Sequence, residues 1–367
     1  MQPSNPLEVA IRNHLDAHGG WMGFDDFMQR ALYTPGLGYY ANELPKFGHA
    51  PSATPQTAGS DFVTAPELTP LFGYALARQV AQALQASGTD EIWEFGAGSG
   101  ALAGQLLDAL DEMGTAVRRY TVVELSQTLA ARQRANLARH AARLQWAEAL
   151  PDAMRGVLIG NEVLDAMPVQ LLARVGGVWH ERGVRADGDG FTWSDRPTAL
   201  RPPCEIAGDH DYLCEIHPQG EAFVRGLGQR LRCGLVLLLD YGFGQDEYYH
   251  SQRHMGTVMC HRGHRSDMSP LADVGLKDIT AHVNFSGILA AGEEAGLDLL
   301  GYTTQAHFLM NCGLVDLMQA ASAAQRNRAQ RLMLEHEMGE LFKVIALGRG
   351  LAAPLLGFAR GERSHRL

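Results

Sequence analysis

Little in the chain suits a secreted, membrane-spanning or nucleic-acid-binding protein. Only five cysteines occur in 367 residues, at Cys204, Cys214, Cys233, Cys260 and Cys312, an odd number with no C-x-x-C pair. That pattern argues against a disulfide framework and for a reducing compartment. No apolar run is long enough for a spanning helix, although 46% of the residues are hydrophobic, so a soluble globular chain is expected. Positive charge is also short: 31 Lys and Arg stand against 41 Asp and Glu, for a formal net charge of -10. A phosphate backbone is therefore a poor partner, and basic or neutral peptides suit the surface better. Met1 to Leu15 lack the blocks of a secretory signal and the Arg-rich bias of a transit peptide, which points to the cytoplasm.

What the chain does have is the stretch from Glu91 to Ala103. Ile92, Trp93 and Phe95 read as a buried strand, three alternate glycines follow, and Leu102, Leu106, Leu107 and Leu110 fall at helical spacing. Such a turn lets backbone approach a ligand at a helix N-terminus, where Cβ atoms would obstruct it. Gly96, Gly98 and Ala101 satisfy the dinucleotide fingerprint G-x-G-x-x-G/A, which keeps an NAD-dependent oxidoreductase open as an alternative. Glu94, two residues before the first glycine, would repel a pyrophosphate and suits a ligand with a cationic amino group. Glu94-x-Gly96-x-Gly98-x-Gly100 resembles the first motif of class I methyltransferases, which bind S-adenosylmethionine. A second apolar strand, Tyr120 to Val123, ends at Glu124 and Leu125, and an acid there would accept hydrogen bonds from ribose hydroxyls. Capping of a helix starting at Ser126-Gln127 is the competing role for Glu124.

Along the chain, Leu7, Ala10, Ile11 and Leu15 mark one amphipathic helix, and Phe24, Phe27, Met28 and Leu32 mark another. These two helices read as a preface to the glycine core, and 1–60 is expected to form a helical N-terminal cap ending in a Pro, Ala, Gly and Thr-rich loop. Segment 61–168 reads as the first part of the core, with strands and helices alternating between Arg118 and Ile159, the pattern of a parallel sheet covered on both faces. Gly96, Glu124 and Asn161 fall at strand ends, where such sheets bind ligands. A hairpin turning at Gly176-Gly177 opens an antiparallel insertion over 169–215, expected to lie as a lid over the substrate. The core resumes over 216–240 with the apolar strand Leu235 to Leu239. A stretch poor in regular pattern, 241–285, reads as a functional loop region, and 286–367 completes the core.

Several blocks together resemble the MidA family of methyltransferases: Tyr39-Tyr40, Asp61 to Glu67, the Glu94 glycine motif, Asn161 to Pro168, Leu239 to Gly242, His254 to Thr257 and Asp278 to Phe285. The resemblance spans about Phe24 to Phe285. It implies an α/β class I methyltransferase fold, Rossmann-like, with a mostly parallel seven-stranded sheet, and S-adenosyl-L-methionine as cofactor. It also implies a protein arginine methyltransferase, since the family includes a mitochondrial assembly factor that methylates an arginine of a respiratory complex I subunit. On this reading Glu94, Gly96, Gly98, Gly100, Glu124, Leu125, Asp61, Phe62, Thr64 and Asn161 form the cofactor site. A SAM-binding assembly factor without turnover remains the non-enzymatic alternative, and whether the chain forms a homodimer is open.

An arginine acceptor carries a permanent positive charge and would meet a sulfonium carrying another, so carboxylates must stand beside it. Glu162 is the candidate to hold the guanidinium, Asp165 to assist it, and Asn161 to orient cofactor or nucleophile; helix capping is the alternative for the two acids. The Asn/Asp-Pro-Pro-Tyr motif of base-amine methyltransferases lacks its Pro-Pro-Tyr here. His282 is the candidate proton acceptor, followed by His261 and His264. His254, Cys260, His261 and His264 lack the regular spacing of a zinc site, and no metal is expected. Tyr39, Tyr40 and Phe62 could cover cofactor or substrate, or pack in the core.

Overall fold

Strands apolar on both faces organise the molecule, whose computed structural model describes residues 5–42, 64–263, 265–351 and 354–367. The central sheet contains β1 (Glu91–Phe95), β2 (Arg119–Val123), β3 (Leu144–Ala147), β4 (Met154–Asn161), β5 (Leu231–Phe243), β6 (Asp298–Thr304) and β7 (Phe342–Arg349). Their spatial order is β6-β7-β5-β4-β1-β2-β3. Strands β1 to β5 pair in parallel, while β7 runs antiparallel to both β5 and β6. The expected seven strands meet a sheet of eight among the described residues, because the two-residue Val283–Asn284 pairs with the end of β5 beside the main order.

Alternation along each strand feeds two cores, as the pleat requires. Leu235, Leu237 and Leu239 of β5 pack with Phe72, Leu76 and Val80 of the helix Leu71–Ser87. Val236 and Leu238 face the other way, onto Val224 and Leu227 of the helix Pro218–Arg230 and Ile288 of the helix Phe285–Glu294. Helices therefore cover both faces of the mixed sheet.

The insertion is larger than the hairpin suggests. Gln170–Val175, Val178–Asp187, Gly190–Pro197 and Tyr212–Ile216 form an antiparallel sheet whose fifth strand, Met22–Gly23, comes from the N-terminal region. The two N-terminal helices, Pro6–Ala17 and Phe24–Tyr33, belong with this insertion: Leu7, Ile11, Phe24 and Phe27 share a core with Leu171 and Val184. Their expected placement as a preface to the glycine core is corrected accordingly, because their apolar stripes have a nearer sheet face to cover. Segment 241–285 is also more regular than expected. It holds a short helix, Gln245–Tyr248, and a three-stranded sheet of Met259–Arg262, Arg265–Asp267 and Asp278–Thr280.

Candidate active site

The glycine turn is a backbone device. Gly96, Gly98 and Gly100 have φ of 61, 54 and 86°, a conformation that side chains with a Cβ disfavour. Gly100 starts the helix Ala101–Glu112 but does not line the cavity beside the turn; a Cβ there would stand 3.1 Å from Leu137 Cδ1, so that glycine serves helix packing. Gln133, fully buried, ties the turn to the next strand end: its Nε2 donates to the Gly98 carbonyl at 3.0 Å and to Glu124 Oε2 at 3.0 Å. Glu124 Oε1 accepts from the Ser126 amide at 2.8 Å, while Ser126 itself caps the following helix. The cap is therefore Ser126 and not Glu124, and each Glu124 oxygen keeps a second lone pair for a ligand.

Glu94 is buried on β1, and Tyr120 donates a 2.6 Å hydrogen bond to its Oε2. Burial pushes its carboxyl up to about 7, against the pull of the Tyr120 bond. Ser99 in the glycine turn donates to Glu67, which stands on the short helix Ala65–Leu68. Glu67 also lines the cavity, and sequence reasoning gave it no role; an acid just inside the Ala65 to Leu68 block was the available signal.

This cavity, about 1370 Å³, runs along the ends of β2, β1, β4 and β5. Its walls include Thr64, Glu94, Gly96, Gly98, Glu124, Leu125, Asn161, Glu162, Asp165 and His282, so the structure brings together the predicted site residues from five separate segments. Leu125 is 74% exposed, an apolar side chain at the rim. Asp61, Phe62 and His264 lie outside the described residues. Of the tyrosine pair, Tyr39 takes the core-packing alternative, buried in the N-terminal core edge-on to Tyr40, while Tyr40 lines the cavity together with Tyr33. Those two rings stack at 5.6 Å, and Tyr40 donates to Asp278 Oδ2 at 2.9 Å.

At the far end stands the loop after β4. Glu162 has φ of 53°, one of two non-glycine residues with positive φ among the described residues, which costs about 1–2 kcal/mol. Its Oε1 accepts from Asn161 Nδ2 at 3.0 Å and from the Ala65 amide at 3.4 Å. Burial, then the neighbouring Asp165 charge, raises the Glu162 carboxyl to about 8. Asp165 Oδ2 accepts from the Tyr241 hydroxyl at 2.5 Å. Burial raises the Asp165 carboxyl too, and the Tyr241 bond draws it back. Asp165 Oδ1, Asn161 Oδ1 and His282 Nδ1 are buried without a hydrogen-bond partner among the described residues. Among those residues, too, Glu94, Glu162 and Asp165 enter no ion pair.

His282 is held against Tyr241 and Phe243, with ring centroids 5.3 and 5.5 Å away. Burial, aided by the Arg253 and Lys343 cations, lowers its imidazole to about 4. His261 lines the same cavity, His254 is exposed and Cys260 is buried; among the described residues no group of three or more His, Cys, Asp or Glu is arranged to hold a metal ion.

Sheet order, glycine turn and strand-end cavity define a methyltransferase fold. A family model described as an S-adenosyl-L-methionine-dependent methyltransferase matches residues 75–303. The chain belongs to that family, and it is an S-adenosylmethionine-dependent methyltransferase of the MidA type. Over 88% of its length it is 27% identical to the mitochondrial protein arginine methyltransferase NDUFAF7 homolog of Caenorhabditis elegans, covering 82% of that protein. The Danio rerio protein arginine methyltransferase NDUFAF7 is 26% identical, over 94% of this chain and 88% of its own. A Burkholderia thailandensis protein crystallised with S-adenosyl-homocysteine is 47% identical and superposes with a TM-score of 0.93, over 98% of this chain and 96% of its own.

Proposed function

We propose that the chain is a protein arginine N-methyltransferase whose acceptor guanidinium is held by Glu162 and Asp165. The observation that carries this reading is a pair of neighbouring carboxyls on the cavity wall, Asp165 buried and Glu162 half-buried, with no ion-pair partner among the described residues. Buried acids without a cation are costly, and an incoming guanidinium supplies what they lack. The NDUFAF7 relatives, named as protein arginine methyltransferases, support the same acceptor.

The cofactor residues fit the group that the family uses. Two positive-φ glycines on the wall leave room for close backbone approach, Glu124 offers free lone pairs to ribose hydroxyls, and the buried Asn161 Oδ1 awaits a donor. Glu94 offers its acidic oxygens to an amino group. When bound, S-adenosylmethionine supplies the methyl group. The chain's own residues orient the acceptor: Glu162 and Asp165 accept N–H bonds from the fork, fixing its plane and drawing positive charge to the nitrogens they touch. Each charge-assisted bond contributes about 1.5–3 kcal/mol. The bound guanidinium favours the ionised form of Glu162, which then takes the proton released on transfer. His282, expected as that acceptor, is a neutral and weakly basic imidazole here, and its role is to orient through Nδ1.

The narrower form of the reading takes a respiratory complex I-type subunit as the protein acceptor, with the antiparallel insertion closing over it. Incubation with methyl-labelled cofactor and a cell lysate, followed by mass spectrometry of the labelled band, tests the residue class. Label on arginine is expected; label on lysine or glutamine, or no labelled protein, overturns the reading.

A further inference from the structure

A glutamate with left-handed backbone must be held there by something outside its own turn. Here the holder is the end of β5. One oxygen of Asp240, Oδ2, accepts from three successive amides, Val163 at 3.1 Å, Leu164 at 2.9 Å and Asp165 at 3.3 Å. Its Oδ1 accepts from the Tyr241 amide at 2.9 Å, and the Glu162 amide donates to the Leu239 carbonyl at 2.9 Å. The next side chain, Tyr241, reaches Asp165 Oδ2 with its hydroxyl. Asp240 is 1% exposed and absent from the cavity wall, so it touches neither reactant; Tyr241 lines the cavity. Converging amides form an anion cradle, and a carboxylate seated in it fixes the direction of each N–H.

We infer that Asp240 and Tyr241 are positioning residues that present the acceptor carboxylates, Asp240 acting through Glu162 and Tyr241 through Asp165. This rests on the reading of Glu162 and Asp165 as guanidinium ligands. Three amides turned toward one buried oxygen leave the loop a single backbone path. The Glu162 side chain therefore meets the substrate already placed, and the ordering entropy is spent in folding, ahead of binding. Burial and the nearby Asp165 and Glu162 raise the Asp240 carboxyl, so the three acids resist ionising together until a cation such as a guanidinium joins them.

The test is a double-mutant cycle on the full chain loaded with S-adenosylhomocysteine, using N-acetyl-arginine amide as the calorimetric probe. Glu162→Gln is expected to weaken the probe about tenfold or more. Asp240→Asn is expected to weaken it by a like factor, with the S-adenosylhomocysteine affinity unchanged to within about twofold. The double variant should bind no worse than Glu162→Gln alone. Multiplying losses, or a parallel fall in S-adenosylhomocysteine affinity, would show that Asp240 merely supports the fold and would overturn the inference. Failure of the unsubstituted protein to bind the probe, or full binding by Glu162→Gln, overturns the arginine reading itself and the inference with it. If Asp240→Asn does not fold, Tyr241→Phe removes one atom, and its cycle with Asp165→Asn carries the same criterion.

Discussion

The two ends of the cavity are built by different means. At the glycine end, backbone in a short contiguous stretch makes the turn, with Glu94 and Glu124 beside it on the wall, and residues such as Gln133 and Tyr120 only brace them. The acceptor end is assembled from side chains of three distant segments, the 161–165 loop, the end of β5 and the 278–282 stretch. A backbone-made site leaves its mark in residue spacing, because each glycine answers a local steric demand. A side-chain site depends on which segments the sheet order brings together, and spacing carries no trace of that.

Substitutions should therefore separate the two ends. The largest effect is expected from Gly98→Val, which places a β-branched side chain at a φ of 54° in the turn. Calorimetry should find S-adenosylhomocysteine affinity reduced roughly a hundredfold, the backbone strain of about 1–2 kcal/mol adding to the obstruction. Retained affinity would mean that the glycine turn is not the cofactor surface. Next, Glu162→Gln should lower turnover by about tenfold to a hundredfold while leaving S-adenosylhomocysteine affinity intact. Equal losses in both quantities would erase the distinction between the ends.

The acceptor end should also be visible in stability. Burial raises Glu162 from 4.5 to about 8, so the native state holds a proton that the unfolded chain has released. Stability of the ligand-free protein then falls as pH rises through that window, by on the order of 4 kcal/mol from this group. In urea titrations from pH 5 to 8, Glu162→Gln should flatten the slope and be the more stable protein at the alkaline end. An unchanged slope would place the charge cost elsewhere. The smallest effect is expected from Tyr120→Phe, which removes the bond to Glu94: about 1 kcal/mol of stability and only a modest loss of S-adenosylhomocysteine affinity.

The same contrast explains how far the sequence could be read. The run Leu235 to Leu239 identified a buried strand because both faces are apolar, and Glu94 to Gly100 identified the turn. Strand β3 escaped notice because it has only four residues at the sheet edge, with little apolar pattern to set it apart. Asp240 was visible as one residue of the Leu239 to Gly242 block, with no role attached. Its three amide partners lie 75 to 77 residues earlier, and nothing local announces them. Tyr39 and Tyr40 stayed ambiguous for a related reason: two adjacent tyrosines look alike in sequence, and only packing decides which faces the cavity. His282 lines the cavity, yet its weak basicity follows from burial and from Arg253 and Lys343, which the sequence does not set beside it.

A crystal structure of the protein with S-adenosylhomocysteine and N-acetyl-arginine amide tests the account most directly. The account predicts the adenosine between the glycine turn and Glu124, and the guanidinium within hydrogen-bond reach of Glu162 and Asp165. An adenosine bound away from that turn, or a guanidinium seated on other groups with Glu162 untouched, would contradict it.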